Sequence, residues 1–333
     1  MICYFFQSIP AGLLSTVLAT LMLLSGRVTA QENEQPASKT EQLARAAKRL
    51  TQPTYLLKYK FRKGESVFWE TEQVDSGEVS LQKKKELTKS RTLSTKKWRI
   101  VEVEENGDFV VTQSLLDVDL WQQIDNQPPI SYDSRIDTRP HPRFEDVADT
   151  VGIELVSFKA RKNGELVYKK ANYSDIDLGV GGIIVQFPEK PIPLGGKWYQ
   201  PSELKVPLPT GQLKRVKIRR AFELVDVKNE VASIRVDTQI LTPIRDPEIE
   251  VQLIHQITRG TLRFDMKMGR ILSREFNWNR TVQGFSTADS LKKYIGRFKE
   301  TLKTGQEVAA RAQLAVKDSL QIRPISGAPI FRD

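Results

Sequence analysis

The sequence predicts an exported α+β protein in which two related, mainly antiparallel β-sheet units carry peripheral helices. Three observations predict this class. An apolar N-terminal stretch changes abruptly to a polar chain, apolar residues then alternate at period two, and several patterns recur in the same order in both halves. With 39% hydrophobic and 28% charged residues, the 333-residue chain has an ordinary globular composition.

Residues 1–30 have the profile of a signal peptide. The weakly polar to apolar run 11–24 is long enough for an h-region, and Val28 and Ala30 place small side chains before a cleavage point after Ala30. The residues before this run contain no Lys or Arg, so a retained membrane anchor is the alternative, although the run is shorter than a span requires. We expect the mature protein in the periplasm or cell envelope of a bacterium, without a transmembrane span.

Cysteine and histidine usage excludes several kinds of site. The single cysteine, Cys3, precedes the apolar run, so the mature chain has no thiol for a disulfide, a metal-thiolate site or a cysteine nucleophile. The chain has two histidines, His141 and His255. We therefore expect no metal site and no cofactor.

The first half is predicted to begin with a polar segment and a short amphipathic helix over 31–53, followed by a β-sheet unit over 54–170. Period-two alternation and turn residues place a hairpin at 54–72, strands at 98–104, 109–120, 154–160 and 165–168, and a short helix at 144–152. Glycines and prolines interrupt the pattern over 171–193, which we interpret as a connecting seam.

A second β-sheet unit is predicted over 194–303. The same alternation places strands at 196–199, 214–227, 231–241, 250–264 and 270–278. An apolar stripe over 290–302 predicts a C-terminal helix, with a strand as the alternative. Residues 304–333 form a helix-prone piece and then a Pro/Gly tail, which we expect to be mobile.

Three pairs of segments suggest an internal duplication of the two units. The patterns at 61–69, 100–112 and 158–167 are matched in the same order at 193–198, 224–236 and 264–272. The second pair shares a strand, an Asn-centred polar turn and a returning strand, and the third shares an aromatic residue, a turn glycine and an aliphatic return.

Candidate catalytic groups are few, and each has a structural interpretation. His255 shares a period-two face with Val251 and Leu253, which favours an interior histidine over a general base, and His141 lies in a loop between two prolines. Asp133 fits a turn. In three acid pairs the two carboxylates are two residues apart, which places both on one face of a strand. This indicates a solvated strand face more than the acid/base pair of a glycosidase. The pairs are Asp117/Asp119, Asp175/Asp177 and Glu248/Glu250. We assign no catalytic residue.

Basic and glycine-rich runs predict surfaces and hinges. The runs at 83–85, 96–97 and 214–220 are interleaved with acids and accompanied by no nucleic-acid motif, so we interpret them as solvated strand faces, and we expect no nucleic-acid partner. The alternative is an anionic envelope component, either a polymer or a membrane surface. The glycine cluster at 179–182 lacks the Lys-Ser/Thr of a P-loop and indicates a hinge.

The order of several motifs resembles a family of exported bacterial proteins of unknown function. The motifs lie at 55–65, 98–103, 132–134, 193–198, 242–248 and 260–270, and the resemblance covers roughly residues 54–302. A more distant similarity is to the half-barrel lipoprotein carriers of the periplasm, in which a curved antiparallel sheet covered by helices shelters an acyl chain. That similarity implies a non-enzymatic binding or carrier module.

For such a carrier we expect an apolar ligand on the concave face of a sheet. Residues on alternating strand faces are predicted to contact it: Tyr59, Phe61, Val101, Phe109, Val225 and Phe264. Two alternatives stay open, an envelope hydrolase of glycans or esters and a structural or interaction protein without a small ligand.

Overall fold

The computed structural model describes residues 52–171, 184–208 and 211–319, with side chains to residue 314. Over these residues the chain forms a 12-stranded antiparallel sheet, a two-stranded sheet and three short helices. The strands are β1 (Thr54–Tyr55), β2 (Ser66–Leu81), β3 (Lys84–Val103), β4 (Phe109–Ile124), β5 (Ile130–Asp133), β6 (Glu154–Ala160), β7 (Leu166–Ala171), β8 (Ile192–Pro193), β9 (Lys197–Pro207), β10 (Leu213–Lys228), β11 (Val231–Ile240), β12 (Arg259–Asp265), β13 (Arg270–Gln283) and β14 (Leu291–Lys303). The helices are α1 (Glu145–Ala148), preceded by a 3-10 turn at Pro142–Phe144, α2 (Pro247–Leu253) and α3 (Gly305–Ser319).

The large sheet has the strand order β7-β6-β4-β3-β2-β14-β13-β12-β11-β10-β9, and β5 pairs with β4 beside β6. The strands of the two predicted units therefore hydrogen-bond into one sheet, joined where β2 pairs with β14. The mainly antiparallel architecture with few helices is confirmed. A duplication is not shown, and the division into two units stays a prediction.

Several expectations concern parts of the chain outside the described residues. These are the signal segment with its cleavage after Ala30, the helix over 40–50, the acid pair Asp175/Asp177, the glycine cluster at 179–182 and the tail beyond residue 319. Residues 305–319 belong to α3, as their helix-prone composition predicts.

Two-residue turns set the register of the longest hairpins. Gln82 and Lys83 connect β2 to β3, and Asn229 and Glu230 connect β10 to β11. All four have positive φ angles, between 47° and 65°, which is the geometry of a type I′ turn. Because this turn matches the right-handed twist of the strands, the long ladders continue without a break at the hairpin tip.

Two predicted elements are corrected. The helix predicted over 290–302 is instead β14 (Leu291–Lys303), which completes the ladder between β13 and β2. The pattern was ambiguous because Tyr294 and Phe298, four residues apart, share a face in a helix and in a strand. The strand expected over 250–264 is instead α2 followed by β12, because Asp246 caps the helix by accepting a hydrogen bond from the Glu248 N–H at 2.9 Å and Pro247 follows it.

The predicted strand at 55–61 pairs only in β1, and residues 56–62 then cross the inner face of the sheet as a crossing segment. The Tyr59 N–H donates to the Lys162 carbonyl in the β6–β7 turn at 2.7 Å, and the Lys60 N–H donates to the Gly269 carbonyl in the β12–β13 turn at 3.0 Å. Consecutive residues thus hold these two carbonyls within about 10 Å of each other. In a flat sheet, six strand spacings would separate the two turns by about 29 Å.

The sheet is therefore strongly curved, like a half-barrel that is narrow at the β6–β7 and β12–β13 turns. The main core fills this narrow end and contains Trp69, Trp98, Phe109, Phe187 and Phe264, all less than 2% exposed. The opposite, wide end carries two smaller apolar clusters, one under α1 on β4 and β5 and one under α2 on β9 and β10. The third helix, α3, lies on the outer face, where Arg311 donates to Glu70 at 3.0 Å.

Replacing Gly164 by alanine tests the narrow end. Gly164 has a φ of +86°, and a Cβ there would lie 2.2 Å from the Val185 carbonyl oxygen and 2.7 Å from the Tyr59 ring. Gly64, with a φ of +83° and no atom within 4 Å, is the matched control. We expect Gly64→Ala to lower the free energy of unfolding by about 1–2 kcal/mol, the backbone cost alone, and Gly164→Ala by about 3–5 kcal/mol. Equal losses in urea titrations would contradict the close approach of the crossing segment.

Candidate functional site

The six residues predicted to contact a ligand fall into two groups. Tyr59, Phe61, Phe109 and Phe264 come together at the narrow end, where the Tyr59 ring centroid lies 5.9 Å from those of Phe61 and Phe109 and 5.5 Å from that of Phe264. These rings pack against one another as core. The predicted contact of these residues with a ligand stays a prediction.

Val101 and Val225 lie elsewhere, with 44% and 36% of their surface exposed. Each is the extra residue at a register shift, between Ile100 and Glu102 in β3 and between Leu224 and Asp226 in β10. A bulge of this kind interrupts the two-residue alternation from which both residues were predicted.

An ionic cluster lies on the inner face next to the aromatic core. It consists of Lys96 on β3, Glu300 on β14 and Arg274 on β13. Glu300 accepts a hydrogen bond from the Lys96 ammonium, and its other oxygen lies 2.9 Å from Arg274 Nε. The Lys96 side chain is 13% exposed, against 1% for Arg274 and 2% for Glu300. The sequence analysis placed Lys96 in a solvated basic run, and the structure corrects this.

Burial opposes the charged forms in this cluster, and the opposite charges offset it for Glu300 but not for Lys96, whose pKa stays below its ordinary value. Burial opposes ionisation of Glu300, but the charges of Arg274 and Lys96 hold the pKa of this carboxyl below its ordinary value. Burial lowers the pKa of Lys96, and Glu300 opposes that shift. The Lys96 ammonium also lies 5.1 Å from the centre of the Trp69 ring system and 5.8 Å from that of Trp98. Both distances suit a cation–π contact.

From this cluster toward the wide end, polar side chains continue along the inner face of β2 and β3. Thr88, Ser90, Thr92 and Ser94 alternate on β3 and pair with Gly77, Asp75, Gln73 and Thr71 on β2. We call these eight residues, with Phe298 on β14 and Leu115 on β4, the inner wall. Thr71, Gln73, Ser90, Thr92, Leu115 and Phe298 are half-buried.

Sequence reasoning missed the inner wall because no strand was assigned between residues 73 and 97. The signal was the two-residue spacing of Ser and Thr from 88 to 94, which places four hydroxyls on one strand face. The residues between them, Lys89, Arg91 and Leu93, concealed the pattern, because a strand with a polar inner face has no hydrophobic alternation.

Asp75 forms the buried centre of the inner wall. The Tyr294 hydroxyl donates to Asp75 Oδ1 at 2.6 Å, and Gln73 Nε2 donates to Oδ2 at 2.7 Å. The Trp278 ring stacks on Tyr294 and lies over Gly296, where a Cβ would come within 2.2 Å of the indole nitrogen. Burial raises the pKa of Asp75 to about 6, against the lowering effect of its two hydrogen bonds.

The structure brings one of the candidate catalytic residues to this site. His255 follows α2, and its ring meets the edge of Tyr294 at a centroid distance of 4.0 Å, so its position comes from the helix and not from the predicted strand. His141 is exposed, and its Nδ1 accepts a hydrogen bond from the Arg143 N–H at 3.2 Å.

The remaining candidate acids described by the structure pair with arginine or lie at a helix start. Asp133 accepts a bidentate pair of hydrogen bonds from Arg135 at 2.8 and 2.7 Å, and Asp119 pairs with Arg91 at 3.3 Å. Asp117 lies 3.7 Å from the Arg311 guanidinium. The other pair, Glu248 and Glu250, lies exposed in the first turn of α2.

The described residues contain neither a group of side chains that could hold a metal ion nor a helix that could cross a membrane. Over 52–171, 184–208 and 211–319, no group of three or more His, Cys, Asp or Glu side chains is arranged to hold a metal ion. Among the helices in the same ranges, none is both long enough and apolar enough to cross a membrane.

Comparison with known proteins gives only weak structural similarity. No protein-family model matches the chain, and no curated protein matches it. A structure of lipovitellin, solved to show its lipid–protein interactions, aligns with a TM-score of 0.41 and 13% identity, over 74% of this chain and 26% of that chain. The chain thus spans about a quarter of lipovitellin.

Two bacterial structures align with lower TM-scores. An outer membrane lipoprotein-sorting protein domain from Vibrio parahaemolyticus has a TM-score of 0.17 and 10% identity, over 74% of this chain and 91% of that chain. A DUF1329 family protein from Desulfovibrio piger has a TM-score of 0.13 and 9% identity, over 71% and 85%. At these scores no similarity assigns a family or a function to this chain.

The raised pKa of Asp75 predicts a pH dependence of stability. The folded-state pKa of about 6 exceeds the ordinary value of 3.8, so the contribution of Asp75 is fully present below about pH 4 and is lost as the pH rises through 6. We expect wild type to lose up to about 3 kcal/mol through this group between pH 4 and pH 7. Asp75→Asn, which does not titrate, lacks this loss. Urea unfolding at intervals across this range measures the difference between the two proteins, and a difference independent of pH would contradict the assignment.

Proposed function

We propose that this protein is an exported, non-enzymatic carrier or binding module of the bacterial cell envelope. Its ligand is an amphiphile that lies along the inner wall at the wide end of the half-barrel. The observation that carries this proposal is the contrast between the two ends of the inner face. Aromatic core fills the narrow end and continues along β13 and β14 to Trp278 and Tyr294, whereas six of the ten residues of the inner wall, both polar and apolar, are half-buried.

The two helices on the inner face support this position for the ligand. Phe144 and Val147 of the α1 region pack on Val118 and Leu120 of β4, at one flank of the wide end. At the other flank, α2 contributes a cluster against β9 and β10 that includes Ile249, Leu253, Val206, Val216 and Ile218. The inner wall lies on the strands between these flanks.

The composition of the inner wall favours an amphiphile over a wholly apolar ligand. Phe298 packs against Phe276, with ring centroids 6.2 Å apart, and with Leu115 offers an apolar surface to a chain. Between them, Thr71, Gln73 and Thr92 form a half-buried polar strip, in which the Thr71 hydroxyl bonds to Ser94 and the Gln73 amide nitrogen bonds to Asp75. Such a strip suits the polar part of an amphiphile better than a wholly apolar chain.

Export is proposed on the sequence of residues 1–30. A cleaved signal peptide would leave a mature chain without cysteine, consistent with a folded protein that needs no disulfide in the periplasm.

A lipid analysis of the purified protein tests the proposal. Native mass spectrometry of wild type from its own envelope fraction should show a mature chain without residues 1–30 and an additional mass that organic solvent extracts. Thr92→Trp, which fills the inner wall, should reduce this occupancy about tenfold or more, a loss of about 1.4 kcal/mol in binding. Thr261→Trp, at an exposed position on β12, is the matched control and should retain the ligand. Wild type without bound ligand, or equal occupancy in both variants, would contradict the proposal.

A hydrolase is the second candidate, because Tyr294 contacts both His255 and Asp75 on the inner face. Under this alternative His255 acts as a general base, so wild type hydrolyses ester or glycan substrates and His255→Ala loses the activity. Chromogenic esters and glycosides provide the measurement. Absence of turnover in wild type would exclude this alternative for those substrate classes.

A further inference from the structure

We propose that the ligand is a fatty carboxylate and that Lys96 binds its ionised carboxyl group at the boundary between the inner wall and the aromatic core. This inference deepens the proposed carrier function and rests on it. It assigns a chemical class to the ligand and a direction to its binding, with the carboxyl group toward the narrow end and the chain toward the wide end.

The position of Lys96 makes it the member of the ionic cluster that a ligand can reach. On the inner face of β3 it pairs with Trp69 of β2 and Leu115 of β4. Its side chain keeps 13% exposure, whereas Arg274 and Glu300 are enclosed. The two tryptophan rings beneath the ammonium close the side toward the core, so an approaching group comes from the inner wall.

The charges of the cluster select an anionic group. Lys96 and Arg274 share one carboxylate, that of Glu300. A buried ammonium group is poorly hydrated, and here it shares its counterion with Arg274. A second anion therefore stabilises it, because ion pairs are strong in a medium of low polarity. One carboxylate brings the three side chains and the ligand to electrical neutrality. A dianionic phosphate would instead leave the site with a net negative charge.

The neighbours of Lys96 suit both parts of a fatty carboxylate. Two residues toward the wide end, the hydroxyls of Ser94 and Thr71 hydrogen-bond to each other and add polar atoms beside the ammonium. The half-buried Leu115 beside Lys96 and the half-buried Phe298 beyond the two hydroxyls provide contacts for methylene groups. Burial of each methylene group contributes about 0.8 kcal/mol, so the chain supplies much of the affinity and Lys96 the selectivity.

The experiment compares dodecanoate with methyl dodecanoate, which has the same chain and no charge. Isothermal titration calorimetry with delipidated wild type at pH 7.5 should show about ten- to hundredfold tighter binding of the acid, the range for a hydrogen bond to a charged group. Lys96→Met removes the charge and keeps an unbranched side chain, so it should bind both compounds alike. Lys84→Met, at the exposed start of β3, is the matched control and should keep the preference.

Each outcome decides the inference. Equal affinities of wild type for the acid and the ester overturn the carboxylate subsite and leave the carrier function standing. A preference for the acid that persists in Lys96→Met has the same meaning. No binding of either compound to wild type contradicts the carrier function itself. Displacement of dodecanoate by acetate at similar concentration would identify a small carboxylate and overturn the fatty ligand. The comparison on wild type remains decisive if Lys96→Met does not fold.

Discussion

The curvature of the sheet depends on the crossing segment, whose two consecutive N–H groups bind the β6–β7 and β12–β13 turns. Twist alone rotates neighbouring strands by about 20–25° and does not bring strands this far apart in the ladder together. Register shifts in the β3–β4, β4–β6, β6–β7, β10–β11 and β12–β13 pairs add local bends. The crossing segment then fixes the bent sheet by filling its narrow end with Leu57 and Tyr59.

Because the narrow end is closed, the ionic cluster beside it is largely removed from water and is a poor source of stability. Removing three charged groups from water costs several kcal/mol per ion, and replacing such a cluster by apolar residues of similar volume is often neutral or stabilising. Trp69 and Trp98, beside Lys96, show that apolar packing is available at this depth. The cluster places the Lys96 ammonium at a defined point between the aromatic core and the polar inner wall, and the proposed carboxylate subsite depends on this position.

The sequence was sufficient to predict most strands and the antiparallel class, because β10, β11 and β13 alternate at period two between clear turn signals. The sequence did not distinguish a helix from a strand over 290–302. Tyr294 and Phe298 are four residues apart, a spacing that places both on one face of a helix and also on one face of a strand. The sequence also failed at Lys96, whose burial depends on Glu300, 204 residues away in the chain. A contact of this range leaves no local signal, and neither does the crossing segment, whose partners are the turns at Lys162 and Gly269.

Among the residues that the structure describes, the strand order ends at β7 and β9, and these two edge strands do not pair with each other. An open antiparallel sheet presents edge strands that other chains can extend, and proteins protect such edges with charge or proline. Both devices occur here: Lys169 and Lys170 lie in β7, and Pro201 and Pro207 interrupt the donors of β9. Because the crossing segment holds the narrow end by itself, the wide end needs no pairing between β7 and β9.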